Sequence, residues 1–317
     1  MAGQTVGRFA PTPSGYLHLG NLFSSLLAWL SAKSQGGRII FRCEDLDPDR
    51  SYREFAVQAQ HDLELLGLTW EEGGGLGGPS GPYDQGSRFH FYQSQLDKLE
   101  ALGLVYPCFC SRAQLHAASA PHASDGEPIY AGTCRGLSPQ QVAEKRKTRS
   151  PALRLQVPEE VISFTDLHYG PQEQFLPTGC GDFILRRSDG VFAYQLAVTA
   201  DDGAMGVTQV VRGRDLLSST PRQILLFRLL GYPVPQFAHT PLLLAPDGRR
   251  LSKRDGDQCL SGLMAKGLSP QQVVGRLAFL AGLLPRPEAV TPQELLPLFS
   301  WEKVPREDVV IPREFLE

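Results

Sequence analysis

Along the first hundred residues, short apolar runs alternate with segments whose apolar residues recur every three to four positions. Residues 5–10 and 38–43 are apolar runs of strand length, and between them Leu22, Phe23, Leu26, Leu27 and Leu30 fall on one helical face, which predicts a helix over 21–34. Helical periods follow over 51–66 and 88–102, the first opened by Ser51 and Glu54 at the spacing of a capping box. Strand and helix alternating in this way predict an α/β fold with a doubly wound parallel sheet. Residues 73–81 hold six glycines in nine positions, which reads as a mobile surface loop. A polar stretch then intervenes before the alternation resumes, with an apolar run at 182–185, further segments at 191–199 and 206–212, and a helix over 219–230. Ser138-Pro139 and Ser269-Pro270 each read as a helix N-cap followed by proline at the first helical position, so a late helix is expected over 270–284. The resulting division is a first half-domain over 1–105, an insertion over 106–185, a second half-domain over 186–257 and a short helical C-terminal segment over 258–317.

Two segments far apart in the chain carry candidate chemistry. The first is Arg8-Phe9-Ala10-Pro11-Thr12-Pro13-Ser14-Gly15-Tyr16-Leu17-His18-Leu19-Gly20-Asn21, and the second is Arg250-Leu251-Ser252-Lys253-Arg254. Pro11, Pro13, Ser14, Gly15 and Gly20 suit a tight turn that lets a nucleotide approach the backbone. The helix beginning near Gly20 would turn its free N–H groups toward phosphate. His18, just before it, can donate a hydrogen bond to a phosphate oxygen, and Lys253 supplies a mobile positive charge in a polar loop. Read singly, the histidine is a helix-start residue and the lysine a solvated basic turn. Read together, they suit an enzyme that holds ATP while a carboxylate attacks its α-phosphate.

Composition narrows the setting. Hydrophobic residues make up 42% and charged residues 21%, as in an ordinary globular protein, and the net charge of −3 argues against a dedicated polyelectrolyte binder. Any nucleic-acid contact must then use local basic clusters at 145–149, 186–187 and 249–250. No run of 18 apolar residues and no leader-like N-terminus is visible, so the expectation is a cytoplasmic protein without membrane association. Of the six cysteines, Cys43, Cys180 and Cys259 read as packing residues. Cys108 and Cys110 form a C-x-C pair, with Cys134 further on, and read either as a structural zinc site that staples the insertion or as three unrelated thiols. His116, His122 and Tyr130 are the candidates for a fourth ligand.

The turn, the helix and the late L-S-K-R loop resemble the active-site layout of class I aminoacyl-tRNA synthetases. Three further runs point to the glutamyl branch: Arg42 through Arg50, which matches R-x-E-D-x-D-x-x-R, the segment Phe192-Ala193-Tyr194-Gln195-Leu196-Ala197, and Val211-Arg212-Gly213-Arg214-Asp215-Leu216. The resemblance covers residues 7 to about 284. It implies a Rossmann-type catalytic domain with His18 and Lys253 as catalytic residues, and ATP held by Pro11, Ser14, Gly15, His18, Gly20, Asn21, Ser252 and Lys253. Glutamate would be held by Arg8, Phe9, Ala10, Pro11, Thr12, Glu44, Tyr194 and Arg212. Two arginines suit the two carboxylates, in an order that stays open, and Glu44 suits the ammonium. Without the resemblance, Arg8 reads as a strand-end surface charge and Arg212 as an ion-pair partner of Asp215.

The short stand-alone paralogues of this branch are the nearest match, since the stretch after Arg254 lacks room for the anticodon-binding region of a full glutamyl-tRNA synthetase. In them the zinc ligands resemble C-x-C followed by Y-x-x-x-C, which adds Tyr130 to Cys108, Cys110 and Cys134. The implied monomer uses ATP with Mg²⁺ and one structural Zn²⁺. It forms glutamyl-adenylate without bound tRNA and passes glutamate to queuosine in the anticodon stem-loop of tRNA(Asp). The alternatives are a minimal synthetase charging the terminal adenosine of tRNA(Glu), a glutamate ligase with a non-tRNA acceptor, and a non-catalytic tRNA-binding paralogue.

Overall fold

Strand β1 (Val6–Phe9) is buried along its whole length, as expected for a strand covered on both faces of a parallel sheet. It pairs in parallel with β2 (Arg38–Phe41), in register from Val6 with Arg38 to Phe9 with Phe41. The crossover between them is helix α1 (Leu19–Lys33), in which Leu22, Phe23, Leu26, Leu27 and Leu30 are fully buried. Helix α2 (Arg53–Leu65) follows, and β3 (Glu72–Gly73) joins the outer edge of β2 in parallel. The computed structural model describes residues 3–111, 114, 129–130, 132–251 and 259–316.

After helix α3 (Phe89–Ala101) the chain leaves this sheet. Strands β4 (Val105–Cys108) and β5 (Ala152–Leu155) pair antiparallel, with helix α4 (Pro139–Arg146) between them in sequence. Strands β6 (Val161–Asp166) and β7 (Gly170–Phe175) form a hairpin, and β8 (Phe183–Arg186) returns to β5. Helix α5 (Tyr194–Ala204) leads to β9 (Gln209–Gly213), and helix α6 (Thr220–Leu230) connects it to β10 (Gln236–Thr240), parallel to β9. The order in this second half is β7-β6-β10-β9.

The two half-sheets meet at β1 and β9. Thr208 stitches the seam: its N–H donates to Val6 O at 2.9 Å and its hydroxyl accepts from Val6 N–H at 2.8 Å. Strand order reverses here, because β2 lies on one side of β1 and β9 on the other. In such a sheet the strand ends on either side of the reversal leave a crevice for a ligand.

Several expectations are corrected. Residues 161–166 fall inside the expected insertion, yet β6 pairs with β10 in the main sheet. The helix expected from Ser51 begins at Arg53, and Ser51 provides no cap: Tyr52 is held extended by donating its N–H to Pro13 O at 2.9 Å. The glycine-rich stretch is built in. Gly73 belongs to β3 with φ 89°, and a Cβ there would stand 1.9 Å from Phe41 O, while Gly75 N–H donates to Gln60 Oε1 at 2.8 Å. Its glycines permit positive φ and close approach where mobility was expected. The late helix α7 (Pro270–Leu280) ends before 284, because the chain turns at Gly282, whose φ is 72°. The C-terminal segment also holds a strand: β12 (Val309–Val310) pairs with β11 (Leu243–Leu244). Both Ser-Pro helix starts form as expected, with Ser138 and Gln141, and Ser269 and Gln272, making reciprocal capping boxes. The tip around 117–126 lies outside the described residues.

Candidate active site

A chamber of about 660 Å³ opens at the reversal point between β1 and β9. Its wall contains Arg8, Phe9, Ala10, Pro11, Thr12, Ser14, Gly15, His18, Gly20, Asn21, Glu44, Tyr194 and Arg212, so residues spread over two hundred positions meet in one cavity. Ser252 and Lys253 lie outside the described residues. Leu251 on one side of them lines the chamber, and Cys259 on the other forms a backbone bridge with His18.

His18 caps α1. Its Nδ1 accepts from Asn21 N–H at 3.3 Å, and Asn21 Oδ1 accepts from His18 N–H at 3.2 Å. An accepting ring nitrogen carries no proton, so the neutral imidazole holds its N–H at Nε2. A Cβ at Gly20 would come within 3.1 Å of this ring, which explains the glycine. The first turn of α1 has no acidic side chain, and its N-terminus, capped by His18, faces the chamber.

Beneath the chamber lies a buried charge cluster in which Arg42 and Glu44 are joined by two aspartates that the sequence did not connect with them. Arg42 is fully buried and donates from Nη1 to Asp202 Oδ1 at 2.7 Å and from Nη2 to Glu44 Oε1 at 3.2 Å, with Asp201 Oδ2 at 3.7 Å from its Nε. Asp201 also accepts from Arg88 Nε at 2.7 Å, Gln85 Nε2 at 2.8 Å and Tyr92 Oη at 2.8 Å. Arg8 is buried too, donating from Nη1 to Val211 O at 2.8 Å across the seam, with Asp202 at 3.7 Å from its Nε. The reading of Arg8 as a surface charge is therefore set aside. Burial raises the pKa of Glu44, against the pull of Arg42 and Arg8. Arg42 and Glu44 stand out in the sequence as part of the Arg42–Arg50 run, and the partners on the other side are marked only by the double aspartate Asp201-Asp202 within the helical segment 194–204.

Arg212 projects from β9 on the opposite wall. Among the described residues it makes no ion pair with Asp215. It donates instead from Nε to His239 Nε2 at 3.1 Å, from Nη1 to Gln223 Oε1 at 2.8 Å, and from Nη2 to Thr220 Oγ1 at 3.0 Å and Leu216 O at 3.3 Å. The half-buried Tyr194 side chain lies beside it, and burial raises its pKa against the pull of the Arg212 guanidinium. His239 sits opposite Arg212 in the β9–β10 register, too far along the chain for sequence to pair the two.

A second cluster lies in the insertion. The sulfurs of Cys108, Cys110 and Cys134 are within 4.8 Å of one another. Tyr130 Oη lies 3.4 Å from Cys108 Sγ and 3.6 Å from Cys110 Sγ and accepts from Cys134 N–H at 2.8 Å. All six cysteines are free thiols, and Cys43, Cys180 and Cys259 are buried. His116 and His122 lie outside the described residues. Of the basic clusters, 145–149 is exposed at the end of α4, and Arg250 lines the chamber. Among the described residues, no helix is long and apolar enough to cross a membrane.

The sequence matches the family profile of class I tRNA synthetases (E and Q), catalytic domain, over residues 4–304. The chain belongs to this family. It is 56% identical to the glutamyl-Q tRNA(Asp) synthetase of Symbiobacterium thermophilum, over 97% of this chain and 96% of that one. With the glutamyl-Q tRNA(Asp) synthetase of Nitratidesulfovibrio vulgaris it shares 47% identity over 98% and 97% of the two chains. A crystal structure of a glutamate tRNA ligase from Elizabethkingia meningosepticum in complex with its amino acid superposes with a TM-score of 0.83 at 26% identity, covering 99% of this chain and 68% of that chain. The described fold is thus that of a class I catalytic domain, an α/β structure on a parallel sheet.

Arg42 tests the charge cluster directly. Arg42→Met keeps much of the side-chain length but leaves Glu44, Asp201 and Asp202 around an uncharged group. Removing one partner of a buried pair costs about 3–5 kcal/mol, so urea unfolding should show a loss of that size. A loss under about 1 kcal/mol would mean that the carboxyls sit there uncharged.

Proposed function

We infer that this chain activates glutamate with ATP and transfers it to queuosine in the anticodon of tRNA(Asp). The observation that carries the chemistry is the chamber itself, in which two buried guanidiniums and one buried carboxylate stand beside the N-terminus of α1. Glutamate has two carboxylates and one ammonium, the complement of Arg8, Arg212 and Glu44. The near full-length likeness to glutamyl-Q relatives supports queuosine as the acceptor.

In the first step a carboxylate oxygen of glutamate attacks the α-phosphorus of ATP and pyrophosphate leaves. The carboxylate is already a nucleophile, so no general base is required, and the residues act by positioning and by stabilising charge. Pro11, Ser14 and Gly15 in the turn, and Gly20 and Asn21 in the first turn of α1, form the surface against which ATP lies, with Mg²⁺ accompanying its phosphates. His18 offers its Nε2–H and α1 its positive end to phosphate oxygens. Lys253, with Ser252, is assigned to the charge that develops on the α-phosphate. Phe9, Ala10, Thr12 and Tyr194 line the amino-acid side. In the second step an acceptor hydroxyl attacks the activated carbonyl and AMP leaves.

Cys108, Cys110, Cys134 and Tyr130 would hold one Zn²⁺. Their donor set, three sulfurs and a phenol oxygen converging within the insertion, fits a tetrahedral structural ion. Bound there, it supplies a cross-link between β4 and the segment near Cys134.

Three measurements check these assignments. A stem-loop of tRNA(Asp) bearing queuosine and ending in a 2′,3′-dideoxynucleoside should accept glutamate, while the same RNA with guanosine at that position should not. Charging of only the terminal adenosine of tRNA(Glu) would instead identify a minimal glutamyl-tRNA synthetase. Glu44→Gln keeps the shape and removes the charge facing the ammonium. A charge-assisted hydrogen bond contributes about 1.5–3 kcal/mol, so calorimetry should show glutamate affinity falling by about tenfold or more, and unchanged affinity would make Glu44 purely structural. Elemental analysis should find one zinc per chain, lost in Cys110→Ser, and undiminished zinc in that variant would remove Cys110 from the ligand set.

A further inference from the structure

The buried arginines around the chamber differ in what holds them. Arg8 and Arg42 share Asp202, and Arg42 also has Asp201 and Glu44. Among the described residues, the hydrogen-bond partners of Arg212 are formally neutral: the His239 ring, the Gln223 amide, the Thr220 hydroxyl and the Leu216 carbonyl, with the Tyr194 hydroxyl beside them. Its charge is therefore left for a ligand, provided that the ring beside it stays neutral and presents an acceptor.

Asp166 secures both conditions. Its Oδ1 accepts the backbone N–H groups of His168 at 3.0 Å, Tyr169 at 2.9 Å and His239 at 3.3 Å. Its Oδ2 lies 2.6 Å from His239 Nδ1. An ionised carboxylate can only accept, so the ring proton sits on Nδ1 and the lone pair of Nε2 faces Arg212. Burial pushes the His239 pKa down to about 4 despite the Asp166 hydrogen bond, with Arg212 and Arg8 pushing the same way. The turn that carries this aspartate is tied to the C-terminal segment, His168 Nε2 lying 3.0 Å from Pro305 O and Tyr169 Oη donating to Arg306 O at 2.9 Å.

We propose that Asp166 and His239 are positioning residues for Arg212: the aspartate selects the ring tautomer, the ring fixes the guanidinium, and the guanidinium keeps its charge for a carboxylate of the amino-acid substrate. Neither residue lines the chamber, so both act through Arg212. The proposal rests on the glutamate reading above only for the identity of that substrate.

Asp166→Asn is the discriminating variant. Its oxygen can still take the three backbone N–H groups, while its NH₂ meets His239 Nδ1. The ring must then carry its proton on Nε2, donor against donor with Arg212 Nε–H. A wrong-tautomer change of this kind preserves shape and removes function. ¹⁵N spectra of the full-length protein should show His239 as the Nδ1–H form in wild type and as the Nε2–H form in the variant. In glutamate-dependent ATP/pyrophosphate exchange the glutamate KM should rise about tenfold or more, with the ATP KM within about twofold and the melting temperature close to wild type. A glutamate KM that stays within about twofold overturns the proposal, as does a parallel rise in both KM values, which marks a merely structural role. His239→Gln is the second variant, because its amide oxygen can accept from Arg212 without a tautomer choice. It should keep a much lower glutamate KM than His239→Leu, and equal losses in the two would also overturn the proposal. The wild-type exchange assay tests the glutamate reading by itself, and the ring tautomer is read without any turnover.

Discussion

The chamber hangs on one desolvated cation. Arg42 stands at the C-terminal end of β2, fully buried, with carboxylates from its own strand end and from α5 around it. Burying a guanidinium among three acids is favourable only if all four groups are held in place. The geometry that satisfies Arg42 therefore fixes α5 against β2, and with it the first half-sheet against the second. Glu44 and Arg8 take their positions from the same cluster, so the anionic and cationic walls of the site are set by the contacts that join the two halves.

The elements whose information is local were legible in the sequence. β1, α1 and β2 follow directly from apolar periodicity, and the imidazole cap at His18 with Asn21 lies within a four-residue window. The cysteine cluster was legible for a different reason, since sulfur spacing encodes proximity even where little core is available. What stayed hidden depends on register. Arg212, His239 and Asp166 lie on three strands, and they meet only because β10 pairs in parallel with β9 on one side and β6 on the other. A histidine in an apolar strand and an aspartate at a hairpin carry no local mark of such a meeting.

The corrected expectations share a cause. Glycines at 73–81 were read as entropy, and several of them answer steric demands, as where Gly73 packs on the Phe41 carbonyl. Ser51 has the spacing of a helix cap, but the tertiary bond from Tyr52 to Pro13 displaces the start of the helix. In both cases a distant backbone group decided the conformation, and no window of neighbouring residues contains it.

The strand pair β11–β12 has a consequence for how the molecule is made. Leu242 and Leu243 line the chamber, and they are held by Val309, which pairs with Leu243, and by Asp308, which accepts from Leu242 N–H at 2.9 Å. A growing chain folds from its N-terminus and pays loop-closure entropy before distant contacts form. The turn at His18, the helix behind it and both half-sheets can assemble while the chain is still on the ribosome. The strand pair that braces Leu243 cannot form until residues 308–310 have left the exit tunnel, so this side of the chamber is tied down only after both half-sheets have emerged.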